Sequence, residues 1–322
     1  MRTSAALQAA ARPGPFMNDI SRPVDTAAAM RPLSSRLLVP LSLFALYVIW
    51  GSTYLAIRIG LESFPPFLMA ALRFSITGAA MYAFLRWRGM PAPTPRQWRN
   101  CAITGTLLLG FGNGLVCFAE QSVSSGLAAV AVAGMPLFAA GFGAMYGHWP
   151  RRLELVGLLV GFAGVVVLNL GGDLRGSPAG AIALLVASAS WAFGSLWSKR
   201  QSMPPAAMST AAQMLTGGVA LAIAALATGE RVTATPTVQA ALALAYLAVF
   251  GSVVAFSAYM YLLNTVRPAL ATSYAYVNPP VAVLFGVLLA GERVHALDLI
   301  GMAVILAGVA IIAVAREKKP AP

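Results

Sequence analysis

The sequence predicts an all-α membrane protein with ten transmembrane helices in two inverted repeats of five helices each. Three observations lead to this fold class. The composition is apolar and poor in charge, ten apolar runs have the length of a membrane span, and short motifs recur at matching positions in the two halves. Together these observations exclude a soluble globular domain.

Composition alone separates this chain from soluble proteins. Of its 322 residues, 59% are hydrophobic and only 10% are charged, and the mean hydropathy is +0.76. A soluble domain carries about a quarter charged residues because it has to cover a water-facing surface. The net charge of +12 does not indicate a nucleic-acid partner, since the basic residues lie between apolar runs and form no dense stripe with interleaved aromatics. We therefore expect the chain to be embedded in a lipid bilayer.

Charged residues, prolines and glycines divide the chain into ten apolar runs of about 20 residues, the length that crosses the hydrocarbon core as a helix. We predict helices over residues 37–59, 66–86, 99–119, 124–146, 152–171, 178–198, 205–228, 237–264, 268–290 and 295–315. The predicted domains are a first repeat over 36–171, a second repeat over 178–315 and a basic cytoplasmic tail over 316–322. Residues 1–35 contain no apolar run of signal-peptide length, so we expect a disordered cytoplasmic tail there, with Met30 as an alternative start.

The positions of Lys and Arg predict that both termini lie in the cytoplasm. With the N terminus inside, the outside loops contain only Arg175, Arg231 and Arg293. The inside segments contain Arg31, Arg36, Arg86, Arg88, Arg96, Arg99, Arg151, Arg152, Lys199, Arg200, Arg267, Arg316, Lys318 and Lys319. Because basic residues concentrate in cytoplasmic loops, we predict an N-in, C-in, multi-pass protein. That orientation requires an even number of spans.

Short motifs match between the two halves of the chain. Trp50 matches Trp191, and Arg58 matches Lys199. Gly126 matches Ala269, and Pro136 matches Pro279. Glu154, Gly157 and Gly164 match Asp298, Gly301 and Gly308 in that order. Two copies of a unit with an odd number of spans must face opposite ways in the membrane. The repeat is therefore predicted to be inverted, an architecture that supports alternating access.

Several motifs resemble those of EamA domains in the drug/metabolite transporter superfamily. They lie at Leu46–Tyr54, Ala71–Phe74, Gly112–Gly114, Ala119–Gln121, Trp191–Ser195 and Pro268–Pro279. The resemblance covers about residues 30–315. It implies two EamA domains, the ten-helix inverted-repeat fold and a role as an exporter of small organic metabolites or drugs in the bacterial inner membrane. It implies no particular substrate.

The residues leave alternative functions open. A lipid-carrier flippase of the same superfamily would share the fold. An oligomeric channel is disfavoured because the sequence has no filter-like loop or ring of charges. An intramembrane enzyme is disfavoured because His148 and His295 lie in predicted loops and no metal-ligand cluster occurs. The sequence has no Walker A motif for ATP, so we expect no cofactor. As the mode of transport, diffusion or exchange of a small solute fits the residues better than tight proton coupling.

Arg73 is the strongest candidate for substrate binding. It follows Pro66 by seven residues and so lies roughly 10 Å into its span at 1.5 Å per residue. A cation at this depth is costly unless it faces water or a partner. We predict that Arg73 faces a central aqueous cavity and meets an anionic group of the substrate. The alternative is a structural Arg that bonds carbonyl groups or extends toward Glu120.

Prolines and amides in mid-span add to the predicted cavity. Pro136 and Pro279 each remove a backbone donor and free a carbonyl, and helices broken near the midplane bind solute in inverted-repeat transporters. Asn113 and Asn278 are polar groups in apolar surroundings and need a partner or water. The alternatives are kinks that serve packing and hydrogen bonds that join helices.

Aromatic residues with polar tips suit a cavity for varied organic solutes. The predicted set is Trp50, Tyr54, Trp191, Tyr259, Tyr274 and Tyr276. An interfacial belt or core packing would also use such residues. Gln213 is expected to be the second-half counterpart of Arg73.

Other features are expected to be structural. Cys101 and Cys117 are predicted to be buried thiols. Gly157, Gly161 and Gly164 form a close-packing stripe, which docks the fifth span on its own bundle or, as an alternative, joins a homodimer. The charged residues at the span ends are expected to be solvated caps, and they are Arg151, Arg152, Glu154 and Asp298.

The predicted topology can be tested with reporters. A reporter fused to the C terminus should be active in the cytoplasm, and a tag inserted between Asp173 and Gly176 should be accessible from the periplasm, because basic residues hold the opposite loops inside. Equal amounts of membrane-inserted protein are the control. A periplasmic C terminus would contradict both the even number of spans and the inverted repeat.

Overall fold

The computed structural model describes residues 35–122, 132–147, 149–169, 178–290 and 296–315, and among them it contains helices and turns but no strand. The helices are α1 (Leu37–Leu61), α2 (Pro66–Trp87), α3 (Pro95–Ala119), α4 (Met135–Met145), α5 (Arg152–Asn169), α6 (Pro178–Ser198), α7 (Ala206–Ala227), α8 (Val238–Thr265), α9 (Tyr274–Ala290) and α10 (Ala296–Val314).

The described helices confirm an all-α membrane fold. Six of them are long and apolar enough to cross a membrane, namely α1, α2, α3, α6, α7 and α8. Two shorter apolar helical stretches are α4 (Met135–Met145) and residues Leu299–Ile312 of α10. The count of ten spans stays a prediction, and the two predicted tails, apart from Ser35, lie outside the described residues, as do His148 and His295.

Helix ends follow local signals in the sequence. α3 begins four residues before the predicted start because Thr94 and Gln97 form a capping box and Pro95 occupies the first turn, which satisfies the free N–H groups of a helix start. The predicted helix over 268–290 is interrupted. A single turn, Pro268–Ala271, ends where the Thr272 hydroxyl donates to the Pro268 carbonyl, and α9 then begins.

The two mid-span prolines occupy different places in their helices. Pro136 lies in the first turn of α4, after Gly134, where a missing N–H costs nothing. Pro279 lies inside α9, which continues past it. The interruption in this region falls at Thr272 and Ser273, before Pro279.

Helices α2 and α7 cross at two glycines, and the crossing has local twofold symmetry. A β-carbon added at Gly78 would lie 2.7 Å from the backbone nitrogen of Leu215, and one at Gly218 would lie 2.8 Å from that of Ser75. The two contacts are equivalent. Gly218 follows Gly78 by 140 residues, and Leu215 follows Ser75 by the same number. Backbones this close require glycine at both positions, because any side chain would force the helices apart.

Helices α5 and α10 form a second close pair. A β-carbon at Gly308 would lie 2.7 Å from the Cα of Gly161, and one at Gly164 would lie 2.6 Å from the backbone nitrogen of Ile305. The predicted glycine stripe therefore packs against a helix of its own chain. A homodimer remains a prediction, but this stripe is covered and cannot be its interface.

An ion pair joins the two halves at one end of the molecule. Arg267 Nε lies 2.6 Å from Glu154 Oε1, and the Glu154 side chain is 4% exposed. The other carboxylate oxygen accepts a hydrogen bond from the Arg151 backbone N–H at 2.9 Å. The Arg151 guanidinium in turn donates to the carbonyl of Ala315, just after α10. The expectation of a solvated cap at Glu154 is wrong, because Arg267 approaches it from a distant loop.

The α5–α10 crossing can be tested by adding one methyl group. Gly308→Ala should lower the free energy of unfolding by about 1–3 kcal/mol, the usual cost of overpacking, because the added carbon meets backbone atoms. The measurement is reversible unfolding in detergent micelles. Gly141→Ala is the matched control, since nothing lies within 4 Å of its added carbon; it should be neutral or slightly stabilising. Equal stability of the two variants would contradict the close crossing.

Candidate functional site

A cavity of about 90 Å³ is lined by residues of α1, α2, α3, α4, α6, α8 and α9, together with Val132. On α1 its lining runs from Trp50 to Ile57, and on α3 from Leu109 to Val116. The cavity therefore extends toward the end of the bundle where α1 and α3 end and α2 begins. Cavities that hold drug-sized molecules measure about 300–1,000 Å³, so this conformation has room for water or a small part of a solute.

The structure brings many of the predicted site residues together at this cavity. The predicted residues that line it are Trp50, Tyr54, Arg73, Asn113, Trp191, Tyr274 and Asn278. Those that do not are Pro136, Gln213, Tyr259, Tyr276 and Pro279. Tyr276 instead donates to the Leu158 carbonyl on α5, and Gln213 bonds Ser209 within α7.

Arg73 is held at the cavity by a serine on α8. Its Nε donates to Ser252 Oγ at 2.7 Å, and the Ser252 hydroxyl donates to the Leu247 carbonyl at 3.1 Å. The Arg73 side chain lines the cavity although the residue is only 4% exposed. A β-carbon at Gly251 would lie 2.7 Å from the Arg73 terminal nitrogen, so glycine makes room for the guanidinium. Arg73 thus bonds Ser252 rather than Glu120, the partner that the alternative interpretation named.

No described lining residue is acidic, so the Arg73 charge has no carboxylate beside it in the cavity. Glu120 follows the end of α3, one turn beyond Val116. Its Oε1 is buried without a hydrogen-bond partner among the described residues, and burial raises the pKa of this carboxyl to about 8, partly offset by the charge of Arg58. Burial therefore favours the neutral form of this carboxyl.

Three helices that line the cavity contain π-helical segments, at Leu46–Trp50, Thr106–Asn113 and Leu247–Val254. Such segments widen a helix and often occur at functional sites. In α8 the Gly251 carbonyl accepts a hydrogen bond from Trp50 Nε1 at 3.0 Å. The wider turn therefore provides both the partner of Arg73 and an acceptor for the indole of α1.

An aromatic layer closes one side of the cavity. It consists of Trp50, Trp191, Tyr259 and Tyr274. The ring centroids of Trp50 and Tyr274 are 4.6 Å apart, and those of Trp50 and Trp191 are 5.6 Å apart with nearly perpendicular planes. Tyr259 is fully buried behind the lining and shares a hydrogen bond of 2.6 Å with Ser195. Edge-to-face contacts of this kind make a dense, apolar barrier.

Asn278 adds a neutral polar group to the cavity wall. The residue is 2% exposed, and its Oδ1 has no hydrogen-bond partner among the described residues. A buried acceptor without a partner is unfavourable by about 1–3 kcal/mol. A donor group on a solute would satisfy it. The cavity thus offers a cation, an acceptor and aromatic faces.

Sequence reasoning missed several lining residues. They include Thr53, Ile57, Phe74, Leu109, Gly112, Met135, Ser188, Gly251 and Phe256. Ser252, which holds Arg73, was missed as well. Small and apolar residues are common throughout membrane helices, so nothing in their pattern separates cavity positions from lipid or packing positions. Among the residues that the structure describes, no group of His, Cys, Asp or Glu could hold a metal ion.

The chain matches known transporters over most of its length. The model of the EamA-like transporter family matches it twice, at residues 37–170 and 178–314. The chain is 50% identical over 289 residues to the "Uncharacterized inner membrane transporter YedA" of Escherichia coli, which covers 89% of this chain and 94% of that protein.

More distant relatives extend the comparison. The chain is 26% identical over 287 residues to the "Probable amino-acid metabolite efflux pump" of Salmonella typhimurium, covering 82% of this chain and 91% of that protein. A crystal structure superposes with a TM-score of 0.73 at 23% identity, covering 87% of this chain and 99% of that chain. The last comparison indicates a shared fold.

The bond between Arg73 and Ser252 can be measured with a double-mutant cycle. Combining Arg73→Met with Ser252→Ala should give a coupling of about 1.5–3 kcal/mol in the free energy of unfolding, the value for a hydrogen bond to a charged group. The control cycle pairs Arg73→Met with Thr265→Ala, thirteen residues and roughly 20 Å further along α8, and should be additive. Additivity in both cycles would contradict the bond.

Proposed function

This chain belongs to the EamA-like transporter family, and we propose that it exports small organic metabolites or drugs across the bacterial inner membrane by alternating access. The observation that carries the proposal is the buried cation of Arg73 at a cavity whose described lining has no acidic residue. A cation in this setting gains most from an anionic partner. A solute that arrives in the cavity can supply it.

The proposed architecture consists of ten helices in two inverted repeats, with both termini in the cytoplasm. The α2–α7 crossing supports it, because its glycine contacts occur twice with the helices exchanged. An inverted repeat gives two conformations of similar energy that open to opposite sides. With this orientation the cavity lies in the outer half of the membrane, and the aromatic layer separates it from the cytoplasm.

The proposed mechanism moves the aromatic layer while the solute is held. Arg73 binds a carboxylate or other anionic group, Asn278 accepts a hydrogen bond, and the aromatic faces contact the apolar part of the solute. Passage to the other side requires Trp50 and Tyr274 to separate, since their rings now lie in contact. No ATP is needed for such a step, and facilitated diffusion or exchange is the form we propose.

Relatives support transport as the activity and leave the solute open. One relative is named an inner membrane transporter and another an amino-acid metabolite efflux pump. By analogy we propose outward transport of anionic or zwitterionic solutes. The test is a flux screen with purified protein in proteoliposomes loaded with a mixture of carboxylates, amino acids and neutral metabolites, read by mass spectrometry. Absence of flux for every class would refute a transporter of such solutes.

Replacing Arg73 should change transport without loss of folding. Arg73→Ala should lower the flux of anionic and zwitterionic solutes about 10–100-fold, the equivalent of one charge-assisted bond. Arg73→Lys should restore only part of it, because an ammonium cannot make the planar two-point contact with a carboxylate. Proteoliposome flux is the measurement.

The matched control for Arg73 is Arg231→Ala, an exposed arginine between α7 and α8. It should transport normally. Normal flux by correctly inserted Arg73→Ala protein would overturn the role of Arg73 and leave it as a structural residue.

A further inference from the structure

A second buried polar cluster lies between α3 and α7, away from the cavity. This inner polar cluster consists of Asn100, Cys101, Ser209 and Gln213, and none of these lines the cavity. Gln213 Nε2 donates to Ser209 Oγ at 2.8 Å, and the Ser209 hydroxyl lies near the Cys101 thiol. Asn100 Nδ2 donates to the Ser202 carbonyl at 3.0 Å, just before α7.

Two amide oxygens in this cluster lack partners. Gln213 Oε1 and Asn100 Oδ1 accept no hydrogen bond among the described residues, and both side chains are 0% exposed. Their NH₂ groups are bonded, so the oxygens are the free ends. A leucine at either position would pack without this penalty. The unpaired oxygens therefore point to a donor that is absent from this conformation.

The position of Gln213 in the fold suggests when that donor arrives. The 140-residue shift that relates the two sides of the α2–α7 crossing also relates Arg73 to Gln213. Gly251 of α8 lies against the Arg73 guanidinium, and Gly105 of α3 lies against the Gln213 backbone. When an inverted repeat changes conformation, each half takes the arrangement of the other. Gln213 would then face an opening at the other end of the bundle, as Arg73 faces the present cavity.

We propose that the inner polar cluster is a second solute-binding site, closed in this conformation and open to the cytoplasm in the alternative one. It binds hydrogen-bond donors, such as an ammonium or hydroxyl group of the solute, through Gln213 Oε1 and Asn100 Oδ1. The Arg73 site binds the anionic end. This inference rests on the proposed function, because it requires alternating access.

The two sites differ in the chemical groups that they favour. Arg73 offers positive charge and donors, whereas the inner polar cluster offers neutral acceptors. Hydrogen-bond donors should therefore bind at the inner polar cluster and anions at Arg73. This contrast can be measured without knowledge of the natural solute.

The native cysteines report on the two sites separately. The Cys101 thiol lies beside Ser209, and the Cys117 thiol lies 3.6 Å from Asn113 Oδ1 at the cavity. The chain has two cysteines, so Cys117→Ala and Cys101→Ala each leave one reporter. Each variant is reacted in right-side-out and inside-out vesicles with methanethiosulfonates that carry a primary ammonium, a trimethylammonium or a sulfonate group. Rates are divided by those of a free thiol in solution.

We expect the trimethylammonium and sulfonate reagents to reach Cys101 from the cytoplasmic side only. In inside-out vesicles the primary ammonium reagent should be favoured over the trimethylammonium reagent about tenfold, since only the primary ammonium can donate a hydrogen bond to the amide oxygens. Cys117 should react from the outer side with the anionic reagent favoured. Unreactive Cys101 in inside-out vesicles, together with normal flux by the same protein, would overturn the inference and leave the proposed function intact. Absence of flux in the native protein would instead overturn the proposed function.

A substitution gives a second, independent test. Gln213→Leu removes an unpaired acceptor, so the protein should unfold at the same or a higher temperature while flux of the solute mixture falls about tenfold. Met214→Leu, a buried apolar exchange at the next residue, is the matched control and should leave flux unchanged. Unchanged flux in Gln213→Leu would show that the residue has a structural role only and would overturn the inference.

Discussion

Solvation of one guanidinium organises the centre of this molecule. Arg73 lies among apolar helices with 4% of its surface exposed, and removal of a charge from water is strongly unfavourable unless new partners replace the water. Ser252 supplies one partner, Gly251 supplies space, and the cavity supplies access for water or an anion. The π-helical segment of α8 positions both residues. These features of α8 are best understood as the surroundings that a buried cation requires.

Hydrogen bonds from α1, at the cavity and next to it, join the two halves of the chain. Trp50 bonds the Gly251 carbonyl, Tyr47 shares a hydrogen bond of 2.8 Å with Ser273, and Ser52 shares one of 2.6 Å with Tyr246. In each pair the first residue lies on α1 and the second in the second half. The site therefore cannot form from one half alone. Any relative movement of the halves changes the shape of the cavity directly.

Sequence predicted the helices well and the site in part, for physical reasons. Apolar runs of spanning length and basic loops are direct consequences of the bilayer. Arg73 was identifiable because a cation inside an apolar run is rare. Tyr276 and Gln213 were misplaced relative to the cavity because these helices are apolar on all sides, so depth in a span does not reveal the face. Ser252 and the Arg267–Glu154 pair depend on contacts between distant segments, which no local pattern encodes.

The Arg267–Glu154 ion pair makes the two ends of the bundle energetically unequal. In the alignment of the halves, Glu154 corresponds to Asp298, but Arg267 corresponds to Ser124, which carries no charge. The sequence therefore has no basic residue at the position that matches Arg267. If the two halves exchange conformations as proposed, the ion pair favours the conformation in which it forms. That preference then depends on a single basic side chain in a short loop, outside both the cavity and the helix crossings.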